Sequence, residues 1–335
     1  MSATLAPART AAPADATRPR LAPGARVAIA FGLALLALAA YLTLFTRGSF
    51  LFAVELRAPT AAAMVVAAFT QAVATVLFHT VTDNRILTPS IMGFDSMFVL
   101  MQTLLVWFFG GMILTQLAGV PMRLAQTAAM VLAATGLYRW LFSGRFGNLF
   151  VLLLVGVVLG MAFDSLSTFL ERLLRPTDYD LLSVELFGRM TDVDPAFLPL
   201  AFGVCLLAGV VVWWRRHVLD ALLLGRETSI CVGVDHRREL TGVLVLVALL
   251  VSFSTALVGP MTFFGFLVAT LAYQLTGTYR HAYVIPMAFA IGVVFLAGGQ
   301  FVLQHVFYAA GFLTVVIEFV GGLLFLALLL KRRSL

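Results

Sequence analysis

Asp95, Asp164 and Glu318 each lie inside a long run of hydrophobic residues. Acids in hydrocarbon are costly, and they face a bundle interior, a water-filled cavity or a proton path. Three are few for a proton relay, and no other reactive side chains gather around them in the sequence. The five histidines are scattered, and no His/Glu or Cys/His cluster has metal-ligand spacing. Cys205 and Cys231 are too few for a disulfide framework and read as buried thiols without a role. No nucleophile stands beside a base. The single lysine, Lys331, sits in the terminal KRR, so no P-loop lysine can reach a nucleotide phosphate. No catalytic residue, metal site or cofactor is expected.

The elements that carry these residues belong in a bilayer. Of the 335 residues, 61% are hydrophobic and 11% charged, and the mean hydropathy is +1.02. A soluble domain carries roughly 25% charged residues. A spanning helix needs about 20 apolar residues. Ten such runs can be placed, at about 27–46, 58–79, 91–110, 120–142, 149–170, 196–214, 240–258, 260–277, 282–299 and 306–330. Each is continuously apolar rather than alternating, which predicts helices and not a barrel. The expected fold is therefore an all-α polytopic bundle of about ten transmembrane helices. It comprises residues 26–335, preceded by a disordered tail over 1–25 rich in Ala, Pro and Arg. The run after that tail is too long for a signal-peptide core, so the first helix is read as uncleaved.

Ten spans put both termini on one side. Only six of the 22 basic residues, Arg47, Arg57, Arg123, Arg172, Arg175 and Arg189, then fall on the other. The positive-inside rule makes the terminal side cytoplasmic. The net charge of +6 needs no nucleic acid to explain it. The longest external connection, 171–195, is acidic, and "DLLSVELFG" within it could form a short surface helix.

One cytoplasmic stretch is unlike its surroundings. In "LLLGRETSICVGVDHRREL" charged residues crowd around two glycines, Gly225 and Gly233. The residues between them suffice for two helical turns. Such a helix, lying across the membrane face, could pass force from a separate motor; an ordinary solvated loop is the other reading.

These residues resemble the coupling segment of iron-chelate and vitamin B12 ABC importer permeases, roughly Leu-Gly-Glu-x-x-Ala-x-x-Leu-Gly. Leu224, Gly225 and Gly233 match, with Ser229 in the alanine place and Val232 in the second leucine place. "LRAPTAAAMVV" resembles the family's Arg-x-Pro-Arg helix start through Arg57 and Pro59. "DNRILTPSIMGFDS" resembles its Asn-Pro-Leu-x-x-Pro-x-x-Leu-Gly segment through Asn84, Pro89 and Gly93. "GPMTFFGFLVATLAY" and the last helix, with Gly321 and Gly322, resemble two further blocks. The likeness runs from about residue 25 to the end. Thr60 departs from the second arginine of Arg-x-Pro-Arg, and Ala269, Thr270 and Tyr273 depart from the Pro-His and Arg that usually follow the Gly-Leu block.

The resemblance implies a permease subunit of an importer for iron(III)–siderophore complexes in the bacterial inner membrane. The same machinery for haem or cobalamin is the nearest alternative, and an ion-coupled secondary transporter is the alternative of another class. The resemblance also implies partners: a paralogous second permease, two ATP-binding subunits, and a periplasmic or lipoprotein substrate-binding protein. Coupling would fall to Leu224, Gly225, Arg226, Glu227, Thr228, Ser229, Val232 and Gly233, within 222–239, and docking of the binding protein to Arg57. The fifth and tenth helices line the family's pathway, which points to Gly156, Gly160 and Asp164 on one and Thr314 and Glu318 on the other. From spacing alone, Gly156, Gly160 and Asp164 share one helix face, where glycines admit a close backbone or leave room for a bulky cargo.

Overall fold

The computed structural model describes residues 21–45, 49–82, 84–85, 87–112, 119–143, 149–186, 193–307 and 313–332. Most of the expected tail lies outside them. In chain order the helices are α1 (Pro23–Thr43), α2 (Phe50–Thr82), α3 (Phe94–Phe109), α4 (Val120–Ser143), α5 (Leu149–Glu171), α6 (Pro176–Leu186) and α7 (Leu198–Trp214). They continue as α8 (Arg216–Leu222), α9 (Arg226–Cys231), α10 (His236–Val258), α11 (Phe264–Thr276), α12 (His281–His305) and α13 (Leu313–Arg332). A 3-10 turn, Ser90–Met92, precedes α3. No strand occurs among the described residues. The chain is an all-α polytopic membrane protein, and each of the ten apolar runs meets a helix.

Five helices, α1, α2, α5, α10 and α12, are individually long and apolar enough to cross a bilayer, and α7 with α8 forms a sixth span bent by 65°. The other runs are covered less simply. Helix α11 has 13 residues and α3 has 16, so they reach only about 20 and 24 Å of a core about 30 Å thick. Their runs begin as non-helical backbone. Pro89 opens the turn before α3, while Gly259 and Pro260 end α10 five residues before α11 starts. Irregular backbone at this depth is tolerated only where protein covers it, and Gly259, Met261 and Phe264 are indeed buried.

The bundle is built around α2, whose sequence from Thr60 to Thr82 is almost wholly buried. Alanines at 61, 63, 67, 68, 72 and 74 make that possible, because association in lipid depends on close contact rather than water exclusion. A Cβ on Gly292 of α12 would sit 3.1 Å from the Cβ of Ala68, so these helices already touch. One apolar cluster joins α1, α2, α11 and α12, and a second joins α2, α3 and α10. The acidic segment expected to be external forms α6 and packs on α3, and just beyond α3 the Gly111 amide donates to Asp178 Oδ1 at 2.9 Å. The end of the predicted "DLLSVELFG" helix, beyond Leu186, lies outside the described residues.

Candidate functional site: coupling segment, docking arginine and pathway face

The stretch expected to act in coupling is a short helix between two positive-φ glycines. Gly225 has φ +86° and Gly233 φ +89°, values that strain any residue with a Cβ. Six-residue α9 has no stability of its own, so its ends are tied. The Gly233 amide donates to Ile230 O at 2.9 Å and the Val234 amide to Ser229 O at 3.0 Å, a Schellman closure. Asp235 then caps α10 by accepting from the Arg238 amide at 3.3 Å. An ion pair between Arg215 and Glu239 fastens the α7–α8 corner to α10.

The side chains of α9 divide cleanly. Ser229 is fully buried, donates to Arg226 O at 2.9 Å and lies 2.9 Å from His236 Nδ1. A hydroxyl has one proton, already given to Arg226 O, so the imidazole donates from Nδ1. Ser229 therefore holds α9 against α10. The outward face is Leu224, Ile230 and Val232, 59%, 52% and 65% exposed, with Arg226, Glu227 and Thr228 beside them. Ile230 was not singled out from the sequence; a six-residue helix offers too little periodicity to find it. Cys231 is exposed here, not buried as expected, whereas Cys205 is buried.

Arg57 is committed within the chain. Its Nη1 donates to Tyr41 O at 2.8 Å and Leu44 O at 3.0 Å, and the guanidinium carbon lies 5.9 Å from the Tyr41 ring centre. A cation at the carbonyl end of α1 meets the negative pole of that helix.

The residues expected to line a pathway fall into three groups. Gly156 and Gly160 are buried against the turn before α3: a Cβ on Gly160 would lie 2.9 Å from Gly93 Cα, and one on Gly156 would lie 3.2 Å from the Met92 side chain. The face they share admits a backbone, not a cargo. Asp164, one turn further on, is exposed and makes no hydrogen bond or ion pair among the described residues. Glu318 Oε1 accepts from the Thr262 amide at 3.4 Å, and Thr262 Oγ1 donates to Asp95 Oδ2 at 3.0 Å. Two intramembrane acids from α3 and α13 thus meet on one threonine just before α11, where a helix start leaves backbone donors without intrahelical partners. Thr314 is buried one turn before Glu318, and its hydroxyl has no partner among the described residues. Beyond this hub α13 turns an apolar face outward, including Val315, Phe319 and Val320.

An apolar helical bundle, a glycine-bounded helix off one end and acids gathered at a broken span together suit a transport subunit, and comparison with known proteins decides the family. The FecCD transport family matches residues 25–331. The chain belongs to it. This FecCD-family chain is 42% identical over 287 residues to the petrobactin import system permease protein FatC of Bacillus anthracis, covering 86% of this chain and 81% of that protein. It is 38% identical over 309 residues to the petrobactin import system permease protein YclO of Bacillus subtilis (strain 168), covering 92% and 98%. A solved inward-facing chain of a metal-chelate type ABC transporter superposes with a TM-score of 0.78 over 92% of this FecCD chain and 99% of its own, at 18% identity. That likeness speaks for the fold.

Proposed function

We propose that the chain is the permease subunit of an ATP-driven importer carrying iron(III)–siderophore complexes, of the petrobactin class, across the bacterial inner membrane. The observation that carries this reading is the 42% and 38% identity, over most of the chain, to two petrobactin import permeases. Vitamin B12 permeases match at 26–27%, which ranks cobalamin behind a siderophore. The permease domain is residues 26–335, and the excess of arginine puts both termini and α9 in the cytoplasm. Two ATP-binding subunits engage the exposed face of Leu224, Ile230 and Val232, and a paralogous second permease completes the membrane core. A substrate-binding protein docks on the opposite side.

In this mechanism closure of the ATPase pair moves α9, and the Arg215–Glu239 pair and the Ser229–His236 contact transmit that motion to α7, α8 and α10. Rigid-body rocking of the two permeases then exposes the route to alternate sides. No chemistry on the substrate is involved. The test is uptake of radiolabelled iron as ferric petrobactin into proteoliposomes holding both permeases, the ATPase and the binding protein. ATP-dependent uptake, absent without the ATPase, is expected. Uptake by this chain alone on an ion gradient would overturn the reading, and uptake of cobalamin but not ferric petrobactin would overturn the substrate.

A further inference from the structure

At the end of the bundle that carries α9, the ends of α2, α8 and α11 and the start of α12 enclose a cavity of about 610 Å³. Arg85, Arg280 and His217 line it, with Tyr273 and Tyr279. The Arg85 guanidinium carbon lies 4.9 Å from the Tyr273 ring centre and 4.5 Å from that of Tyr279, so both rings hold it in place. The one acid among the described lining residues, Asp220, is already engaged: its Oδ1 accepts from the His281 amide at 2.9 Å and meets His281 Nδ1 at 2.7 Å. Neither Arg85 nor Arg280 has an ion pair among the described residues. His79 also lines the chamber, 2% exposed, its ring centre 5.9 Å from that of Tyr273.

A second cavity, about 170 Å³, lies between α1, α2, α7 and α12. Its walls are apolar, with Phe31, Phe69 and Phe289, and Gly209 keeps it open, since a Cβ there would lie 3.3 Å from the Phe69 ring. The two share the walls α8 and the start of α12: Arg216 and His281 line the apolar slot, and their chain neighbours His217 and Arg280 line the charged chamber. A cationic chamber at the level of the headgroups beside a slot for hydrocarbon has the polarity of one molecule. Basic pockets between transmembrane helices on the cytoplasmic side take anionic lipid headgroups.

We propose that the paired cavities bind one anionic glycerophospholipid, its phosphate held by Arg85 and Arg280 and an acyl chain in the slot beside Gly209. Leu223 and Leu224 line the charged chamber, so the bound headgroup supports the root of the coupling segment. The inference rests on the cytoplasmic placement proposed above but not on the identity of the cargo.

The test uses the purified full chain, with no transport step. Wild type, an Arg85→Gln/Arg280→Gln double variant, an Arg85→Lys variant and Gly209→Leu are delipidated in mild detergent, offered equal phosphatidylglycerol and phosphatidylcholine, and examined by native mass spectrometry. Wild type is expected to retain one phosphatidylglycerol at least fivefold in excess of phosphatidylcholine. The double variant and Gly209→Leu should lose that excess, and Arg85→Lys should keep it, which separates lost charge from lost folding. Equal retention of the two lipids by wild type, or undiminished preference in the double variant, overturns the proposal. Displacement of phosphatidylglycerol by millimolar inorganic phosphate would make the chamber a free-anion site and overturns it equally. Failure of siderophore uptake leaves this outcome unaffected, so the two readings fail separately.

Discussion

Replacing Gly233 with valine should disconnect the bundle from its motor while leaving the bundle intact. Nothing lies within 4 Å of a Cβ built at this position, so the added side chain meets no neighbour. Its cost is conformational. At φ +89° an L-residue with a Cβ is strained by about 1–2 kcal/mol, and a β-branched one falls at the upper end. Relaxing that strain means giving up the Gly233–Ile230 and Val234–Ser229 closure bonds, each worth about 1 kcal/mol net. The chain takes the cheaper of the two routes, so the position of α9 is weakened by about 1–2 kcal/mol, roughly a 5- to 30-fold shift toward misplaced arrangements. The assay is binding-protein-stimulated ATP hydrolysis by the reassembled complex in nanodiscs, alongside iron uptake. Gly233→Val should lose most of the stimulation and uptake, with basal hydrolysis and the melting temperature of the permease unchanged. Gly233→Asn, which tolerates the left-handed region, should keep most of both. Normal stimulation in a correctly inserted Gly233→Val protein refutes the reasoning, because coupling would then not need this closure.

Three further outcomes follow from the geometry. Ser229→Ala should cost about 1 kcal/mol in local stability and keep most uptake, whereas Ser229→Arg should lever α9 off α10 and abolish stimulated hydrolysis; equal behaviour of the two would remove Ser229 as the anchor. Thr262→Val takes one donor from buried Asp95 and should destabilise the purified chain by about 1–3 kcal/mol, read as a lower thermal midpoint, while an unchanged midpoint would mean the hub carries no load. For topology, Asp180→Cys should react with a membrane-impermeant thiol reagent in spheroplasts of a strain whose permease carries Cys231→Ser, and Arg237→Cys should not; the opposite pattern inverts the orientation.

That each of the ten apolar runs would meet a helix was legible because a continuous apolar run of bilayer length leaves the backbone few alternatives to a helix. Gly225 and Gly233 could be read as turn points for a similarly local reason. What the sequence withheld depends on contacts between distant segments. That α3 and α11 start within the membrane follows from Asp95 and Glu318 reaching Thr262, 167 and 56 residues away in the chain. The small residues at 156 and 160 promised a close approach, but not that the turn at Met92–Gly93 would fill it. Arg57 read as a surface contact because nothing in its own neighbourhood reveals the end of α1 folding back upon it.

The shortness of α11 has a mechanical meaning. Thirteen helical residues make a rod of about 20 Å with little bending freedom. One end stands at Thr262, and the other enters the turn whose Thr278 and Tyr279 share a chamber with Leu223 and Leu224 of the coupling segment. A tilt of roughly 10° about that outer end would carry Thr262 some 3–4 Å, more than a hydrogen bond can stretch. The rod must therefore either drag α3 and α13 with it or break its ties to Asp95 and Glu318. In the first case the three helices travel as one lever; in the second, the acids are the catch that lets go, and the stiffness of this single threonine junction sets how far a stroke at the membrane surface is felt at its middle.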